Sequence, residues 1–99
     1  MKRGFVLRRI AEQEFDDSIA YYESQRAGLG QEFRAAIEQL FQIIADYPER
    51  FRKVSGDVRR AVVTHRFPFV IHFLIEHERI VILSVFHTSR DSKQLKSRR

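Results

Sequence analysis

Apolar residues recur with a helical period through the first half of the chain. One apolar stripe begins near residue 11 and consists of Ala11, Phe15, Ile19 and Tyr22. A second, wider stripe gives the stronger helical prediction and consists of Phe33, Ala36, Ile37, Leu40, Phe41 and Ile44. Pro48 ends this second helix, because an interior proline removes a backbone donor and clashes with the turn before it. The first half therefore predicts two amphipathic helices.

The segment RAGLG, residues 26–30, separates the two predicted helices. Gly28 and Gly30 can both adopt the positive φ angles that a tight turn between helices requires. Because a connection this short leaves little room for the chain to travel, it predicts that the two helices run antiparallel as a hairpin.

The spacing of apolar residues shortens toward a period of two in the second half. Segments 58–64, 69–75 and 79–87 are rich in Val, Ile and Phe and predict strands, while 51–54 is a candidate short strand and 5–7 a first strand before the helices. The second and third of these segments are apolar on nearly both faces, so we expect them at the centre of the sheet. The order predicts an α+β fold, β-α-α-β-β-β, with the helical hairpin on a mostly antiparallel, twisted sheet.

The composition of the 99-residue chain fits one soluble domain, residues 1–99. A hydrophobic content of 43% with nine Phe can form a core, and chains of this length seldom divide. The absence of cysteine excludes disulfides and thiolate chemistry, and the longest apolar run, 80–83, is far below the roughly 18 residues that span a bilayer. We expect a cytoplasmic protein with no membrane contact and a basic, frayed tail at 92–99.

Charge is distributed unevenly along the chain. Residues 1–49 contain six Lys or Arg and nine Asp or Glu, whereas residues 50–99 contain twelve and four, so the second half carries +8. A basic half attracts an anionic partner such as nucleic acid, the ribosome or an acidic protein segment, although a basic surface that only confers solubility is also consistent with these counts.

The histidines and the acidic residues predict no metal or cofactor site. No two of the four histidines stand at the His-x3-His spacing of a metal site, and His72, between apolar strand residues, is best interpreted as a packed histidine. Glu14, Asp16 and Asp17 are expected on the polar side of the first helix, where the helix dipole favours negative charge. We therefore expect neither a bound metal nor a cofactor.

The remaining candidate chemistry is a basic group of residues on and after the predicted strands, Arg59, Arg60, Arg66, His87 and Arg90. Arg59 and Arg60 point to opposite faces by strand alternation. In a nuclease, Arg59, His87 and Arg90 could provide acid–base chemistry and stabilise a phosphorane. In a binding site, the whole group would hold carboxylates or phosphates at the rim of a surface. The three tyrosines all fall in the helical half, so no second proton-transfer group is evident near His87.

The strand half, with RRAVV, RFPFVIHF and VFHTSRD in that order, resembles the RelE/ParE superfamily of bacterial type II toxins. The helical half, including YYE, GLG and the later proline, resembles the same family, so the likeness covers roughly residues 5–91. The resemblance implies either a RelE-like ribosome-dependent mRNA endoribonuclease or a ParE-like inhibitor of DNA gyrase.

Individual positions favour the ParE-like branch, which includes plasmid stabilisation proteins. Arg59 matches one RelE lysine, but Ala61 and Phe69 stand near the positions of a second lysine and an arginine, and Leu95 stands near that of the C-terminal aromatic residue. The resemblance thus implies a toxin that has no enzymatic chemistry, binds gyrase and is neutralised in a hetero-oligomer by a small, acidic, ParD-like antitoxin. The alternatives are the mRNA endoribonuclease and a degenerate, non-toxic accessory protein.

Overall fold

The computed structural model describes residues 4–63 and 66–88, which form two helices and five strands. Their bounds are β1 Gly4–Leu7, α1 Arg9–Gln25, α2 Leu29–Asp46, β2 Lys53–Ser55, β3 Val58–Val63, β4 Phe69–Glu76 and β5 Arg79–His87. A single 3-10 turn, Pro48–Arg50, follows α2. The predicted α+β fold is confirmed, with the candidate strand at 51–54 found instead at 53–55. The tail at 92–99 lies outside the described residues.

The five strands form one sheet in the order β1-β5-β4-β3-β2. Neighbouring strands are antiparallel except β1 and β5, which run parallel. The sheet is therefore mostly antiparallel, and β4 and β5 occupy the interior positions that their apolar character predicted. The short strand β2 lies at the edge, joined to β3 by a turn in which Gly56 has a φ of 56°.

Both helices pack against one face of the sheet, here called the inner face. Rings from the two layers meet there: the centre of the Phe69 ring of β4 lies 4.7 Å from that of Phe33 of α2 and 6.4 Å from that of Tyr22 of α1. Burial of this apolar surface is the main stabilising term of the fold. The opposite face of the sheet, here called the outer face, carries no helix within the described part of the chain.

A β-bulge in β5 changes which side chains reach the inner face. Phe73 pairs with Ile82, but His72 pairs with Ser84, so the register places Leu83 as the extra residue. Because side chains alternate along a strand, one extra residue transfers every later side chain to the other face. Val85 and His87 consequently face the helices, whereas Ser84 and Phe86 face outward.

Two glycines at the turn of the helical hairpin are required for different reasons. Gly28 has a φ of 89°, as predicted, but Gly30 lies inside α2 and is needed because a Cβ there would come within 2.7 Å of the Ile19 carbonyl oxygen. The Glu23 carboxylate of α1 accepts hydrogen bonds from the backbone amides of Gly28 at 2.9 Å and Gly30 at 3.0 Å. This contact satisfies otherwise unpaired donors at the start of α2. Among the described residues, neither helix combines the length and apolarity that crossing a lipid bilayer requires.

Candidate functional site

The adjacent arginines of β3 lie on opposite faces of the sheet. Arg59 is half-buried on the inner-face side, where its Nη1 donates to the carbonyl oxygen of Phe51 at 2.8 Å. It also lines a cavity of about 270 Å³ together with Lys53, Asp57 and Ile75. Arg60 is exposed on the outer face. Because the sheet separates them, the two guanidinium groups cannot act on one substrate group.

Arg66 contacts the second helix and does not join the other two arginines. Its Nη2 donates to Glu32 near the start of α2, and its guanidinium lies 5.0 Å from the centre of the Phe67 ring. Arg26 binds the same carboxylate at 3.3 Å. The hydrogen bond from Arg66 is the largest influence that lowers the pKa of Glu32 below its usual 4.5. All of these groups are exposed, so the ion pairs join Arg66 to the start of α2 at little energetic gain.

His87 is buried, and its expected place at the rim of a surface is therefore wrong. Only 6% of its side chain is exposed, and its ring centre lies 4.7 Å from that of Phe69. Tyr22, which is 8% exposed, contacts His87 Nε2 through its hydroxyl at 2.6 Å. The bulge at Leu83 is the physical reason, because it directs His87 into the core.

The Tyr22–His87 contact could not be predicted from the sequence. Tyr22 lies 65 residues before His87 and in the helical half, so no local pattern indicates that a tyrosine hydroxyl reaches this histidine. The apolar stripe places Tyr22 toward the core, but only the packing of α1 on β5 identifies its partner. Both groups lie among aromatic rings rather than in an open cleft, and their geometry suits packing better than proton transfer to a substrate.

Other positions named from the sequence divide between the core and the undescribed part of the chain. Ala61 and Phe69, which stand near the positions where the resemblance to the RelE-like branch implies a lysine and an arginine, are at most 1% exposed and belong to the core. Arg90 and Leu95 lie outside the described residues. Within residues 4–63 and 66–88, no group of three or more His, Cys, Asp or Glu side chains could hold a metal ion.

The outer face contains a pocket that sequence reasoning missed. Its volume is about 380 Å³, and it is lined by Glu14, Arg60, Val70, His72, Ser84, Phe86 and Thr88. Strand alternation indicated that one of the two β3 arginines faces outward, but the neighbours of Arg60 depend on the register of three strands. We call this feature the outer-face pocket.

A polar row crosses the floor of the outer-face pocket. Arg60 of β3 lies directly opposite His72 of β4, which lies directly opposite Ser84 of β5. His72 Nδ1 and the Ser84 hydroxyl are 3.0 Å apart. Burial first, and the charge of Arg60 second, lower the pKa of His72 below its usual 6.5. The pocket therefore joins a permanent cation to a histidine that its surroundings keep largely neutral at neutral pH.

Glu14 closes the pocket from the side of the first helix. β1 pairs with β5 only as far as the Leu7–Ile82 pair, and α1 runs beside the part of β5 that follows. There Glu14 Oε1 accepts a hydrogen bond from the Val85 amide at 2.9 Å, in place of a strand acceptor. Glu14 is thus half-buried and bonded to the sheet, rather than simply on the exposed side of its helix as expected.

Comparisons with known proteins identify the family through a family model and the fold through a solved structure. The family model described as "ParE toxin of type II toxin-antitoxin system, parDE" matches residues 5–92. Solved structures also match, among them a chain described as "Chromosomal ParDE TA system from P. aeruginosa", with a TM-score of 0.74 and 17% identity over 87% of this chain and 96% of that chain. No curated protein matches the sequence significantly.

Proposed function

The chain belongs to the ParE toxin family of type II toxin–antitoxin systems, and we propose that it stops growth by binding DNA gyrase, not by cutting RNA. The match of the family model over residues 5–92 carries this proposal. Gyrase inhibition is the activity that resemblance to the ParE-like branch implies. It requires a surface that binds gyrase, but it requires no acid–base groups.

The placement of the basic residues supports binding over catalysis. An acid–base mechanism requires its groups within hydrogen-bond reach of one substrate atom. Arg59 and Arg60 lie on opposite faces, and His87 bonds to Tyr22 inside the core. Buried Ala61 and Phe69 stand near the positions at which the resemblance implies a RelE-like lysine and arginine. Among the described residues, this arrangement favours a toxin that acts by protein contact.

The partner that we propose for neutralisation is a small, acidic, ParD-like antitoxin, bound in a cytoplasmic hetero-oligomer. The +8 charge of residues 50–99 supports an acidic partner, because opposite charges accelerate association and stabilise the complex. The outer face supports the same proposal, since Val62 there is 55% exposed beside Arg60. An amphipathic acidic segment would match both features.

The proposal is tested with purified gyrase and with cells that briefly express the chain. We expect inhibition of plasmid supercoiling in vitro, and a DNA-damage response without codon-positioned mRNA cleavage in vivo. The Arg60→Gln and Arg34→Gln variants remove one exposed charge each, from the outer face and from α2 respectively. If the outer face contacts gyrase, the first should weaken inhibition and the second should not.

Two other results would identify a different function, and a third would change the proposed binding surface. Rapid mRNA cleavage at fixed codon positions with normal supercoiling would support the ribosome-dependent endoribonuclease. Normal growth with a folded chain that does not inhibit gyrase would support the non-toxic accessory protein. Equal loss of gyrase inhibition in both charge variants would indicate that only total charge matters, and would remove the outer face from the proposal.

A further inference from the structure

The geometry of the polar row in the outer-face pocket suits an anionic group. His72 Nδ1 contacts Ser84, so Nε2 is the ring atom that a ligand entering the pocket would meet. Arg60 lies on the next strand, directly opposite His72. Neighbouring strands lie about 5 Å apart, so a guanidinium and an imidazole N–H on directly opposite residues can both donate to the two oxygens of one carboxylate.

The surroundings of the polar row restrict the kind of molecule that carries this anion. Val62, Val70 and Phe86 are directly opposite one another in the neighbouring row, so apolar groups adjoin the charged ones. Glu14 lies on the far wall beside β5, two strand spacings or about 10 Å from the strand of Arg60. A nucleic-acid backbone would meet both this carboxylate and apolar side chains. An acidic amphipathic peptide can place one carboxylate at Arg60 and apolar side chains on the adjoining row.

We propose that the outer-face pocket binds a carboxylate side chain of the antitoxin between Arg60 and His72, and that His72 takes up a proton when this group binds. The identity of the partner rests on the proposed function, whereas the existence of the carboxylate site does not. The site therefore provides both affinity and a dependence of affinity on pH.

The sign of this pH dependence follows from the groups that face His72. Arg60 faces it from β3, Ser84 from β5 and Glu14 from α1 across the pocket. In the free chain, burial and Arg60 lower the pKa of His72 below 6.5. A carboxylate bound against the ring favours the imidazolium form and opposes both effects. Carboxylate binding should thus become tighter as pH falls toward 6.5 and below it, and His72 should take up as much as one proton on binding.

The first experiment tests the site on the chain alone, with acetate as the probe. Isotopically labelled protein is prepared by cell-free synthesis, and the His72 ring signals are followed by NMR against pH in sodium acetate and in sodium chloride of equal ionic strength. We expect a higher His72 titration midpoint in acetate, a smaller rise in Arg60→Gln, and an unchanged response in Arg34→Gln. Glu14→Gln should increase the response by removing a negative charge from the pocket.

Several results of this experiment would overturn the proposal. Equal midpoints in acetate and chloride would show that only ionic screening acts on His72. An Arg60→Gln variant that responds to acetate like the wild type would remove Arg60 from the site. Arg60→Lys provides a second variant that keeps the charge but loses the planar fork, and it should respond less than the wild type. A stronger response to dimethyl phosphate than to acetate would favour nucleic acid over an acidic peptide.

The second experiment tests the partner. The antitoxin is selected by its ability to restore growth when it is co-expressed with this chain. Its binding to the chain is then measured by titration calorimetry near pH 6.5 in two buffers of different ionisation enthalpy. We expect proton uptake with the wild-type chain and less uptake with His72→Gln. Equal uptake by the two chains would overturn the role of His72, even if the acetate site and gyrase inhibition were both confirmed.

Discussion

The hydrogen bond between Tyr22 and His87 allows the most direct test of whether this histidine is structural. Tyr22→Phe removes only the hydroxyl, and His87→Phe replaces the imidazole with an apolar ring of similar shape. The contact is 2.6 Å long, and both side chains are less than a tenth exposed. Loss of one partner of a buried hydrogen bond costs about 1–3 kcal/mol, whereas replacement of both by apolar groups can be nearly neutral.

The two single variants and the double variant therefore form a thermodynamic cycle with a definite expectation. Each single substitution should lower the free energy of unfolding by about 1–3 kcal/mol, and the double variant should lie within about 1 kcal/mol of the wild type. The melting temperature should fall by roughly 4–8 °C for each kcal/mol lost in a domain of this size. Urea denaturation followed by circular dichroism measures all four proteins. Tyr47→Phe is the matched control, because the Tyr47 side chain is exposed.

Two results would contradict this interpretation. If the effects of the single substitutions add to within about 0.5 kcal/mol, the two side chains are not coupled as the structure indicates. If the double variant is as stable as the wild type but no longer inhibits gyrase or growth, then Tyr22 or His87 acts in the function. Retained activity in a stable double variant would confirm that the pair serves the core.

Three further predictions concern the helical turn, His72 and the antitoxin. Gly30→Ala should destabilise the fold by about 1–3 kcal/mol because its Cβ would meet the Ile19 carbonyl oxygen, and Gly28→Ala by about 1–2 kcal/mol through its positive φ alone. Urea denaturation compares the two variants, and a larger loss of stability in Gly28→Ala would contradict the contact at Gly30. Because the folded-state pKa of His72 is below 6.5, the unfolded chain binds more protons there, so stability should fall as pH decreases below about 6.5. Urea titrations should show a smaller decrease for His72→Gln, and a pH profile identical to that of the wild type would contradict this prediction. The affinity of the antitoxin should weaken as salt is raised, and less steeply for Arg60→Gln, as measured by calorimetry; an affinity independent of salt would refute the electrostatic contribution.

The local pattern of the sequence accounts for the helices, the four longer strands and the family. Helical and strand periods depend on residues that are near one another in the chain, so the apolar stripe from Phe33 to Ile44 indicates α2 without knowledge of the sheet. Pro48 and Gly28 mark the ends of elements for equally local reasons. The basic second half is likewise a property of composition, and it predicts an acidic partner without indicating where that partner binds.

The positions of the candidate functional residues depend on pairings between distant parts of the chain. Strand alternation alone does not reveal the bulge at Leu83, which arises from the register between β4 and β5 and reverses the direction of every later side chain. That reversal buries His87 against Tyr22 and leaves Ser84 on the outer face beside His72. Arg60 joins this row only because β3 pairs with β4. Local periodicity thus specifies the elements, while long-range strand pairing determines which side chains form the core and which form the pocket.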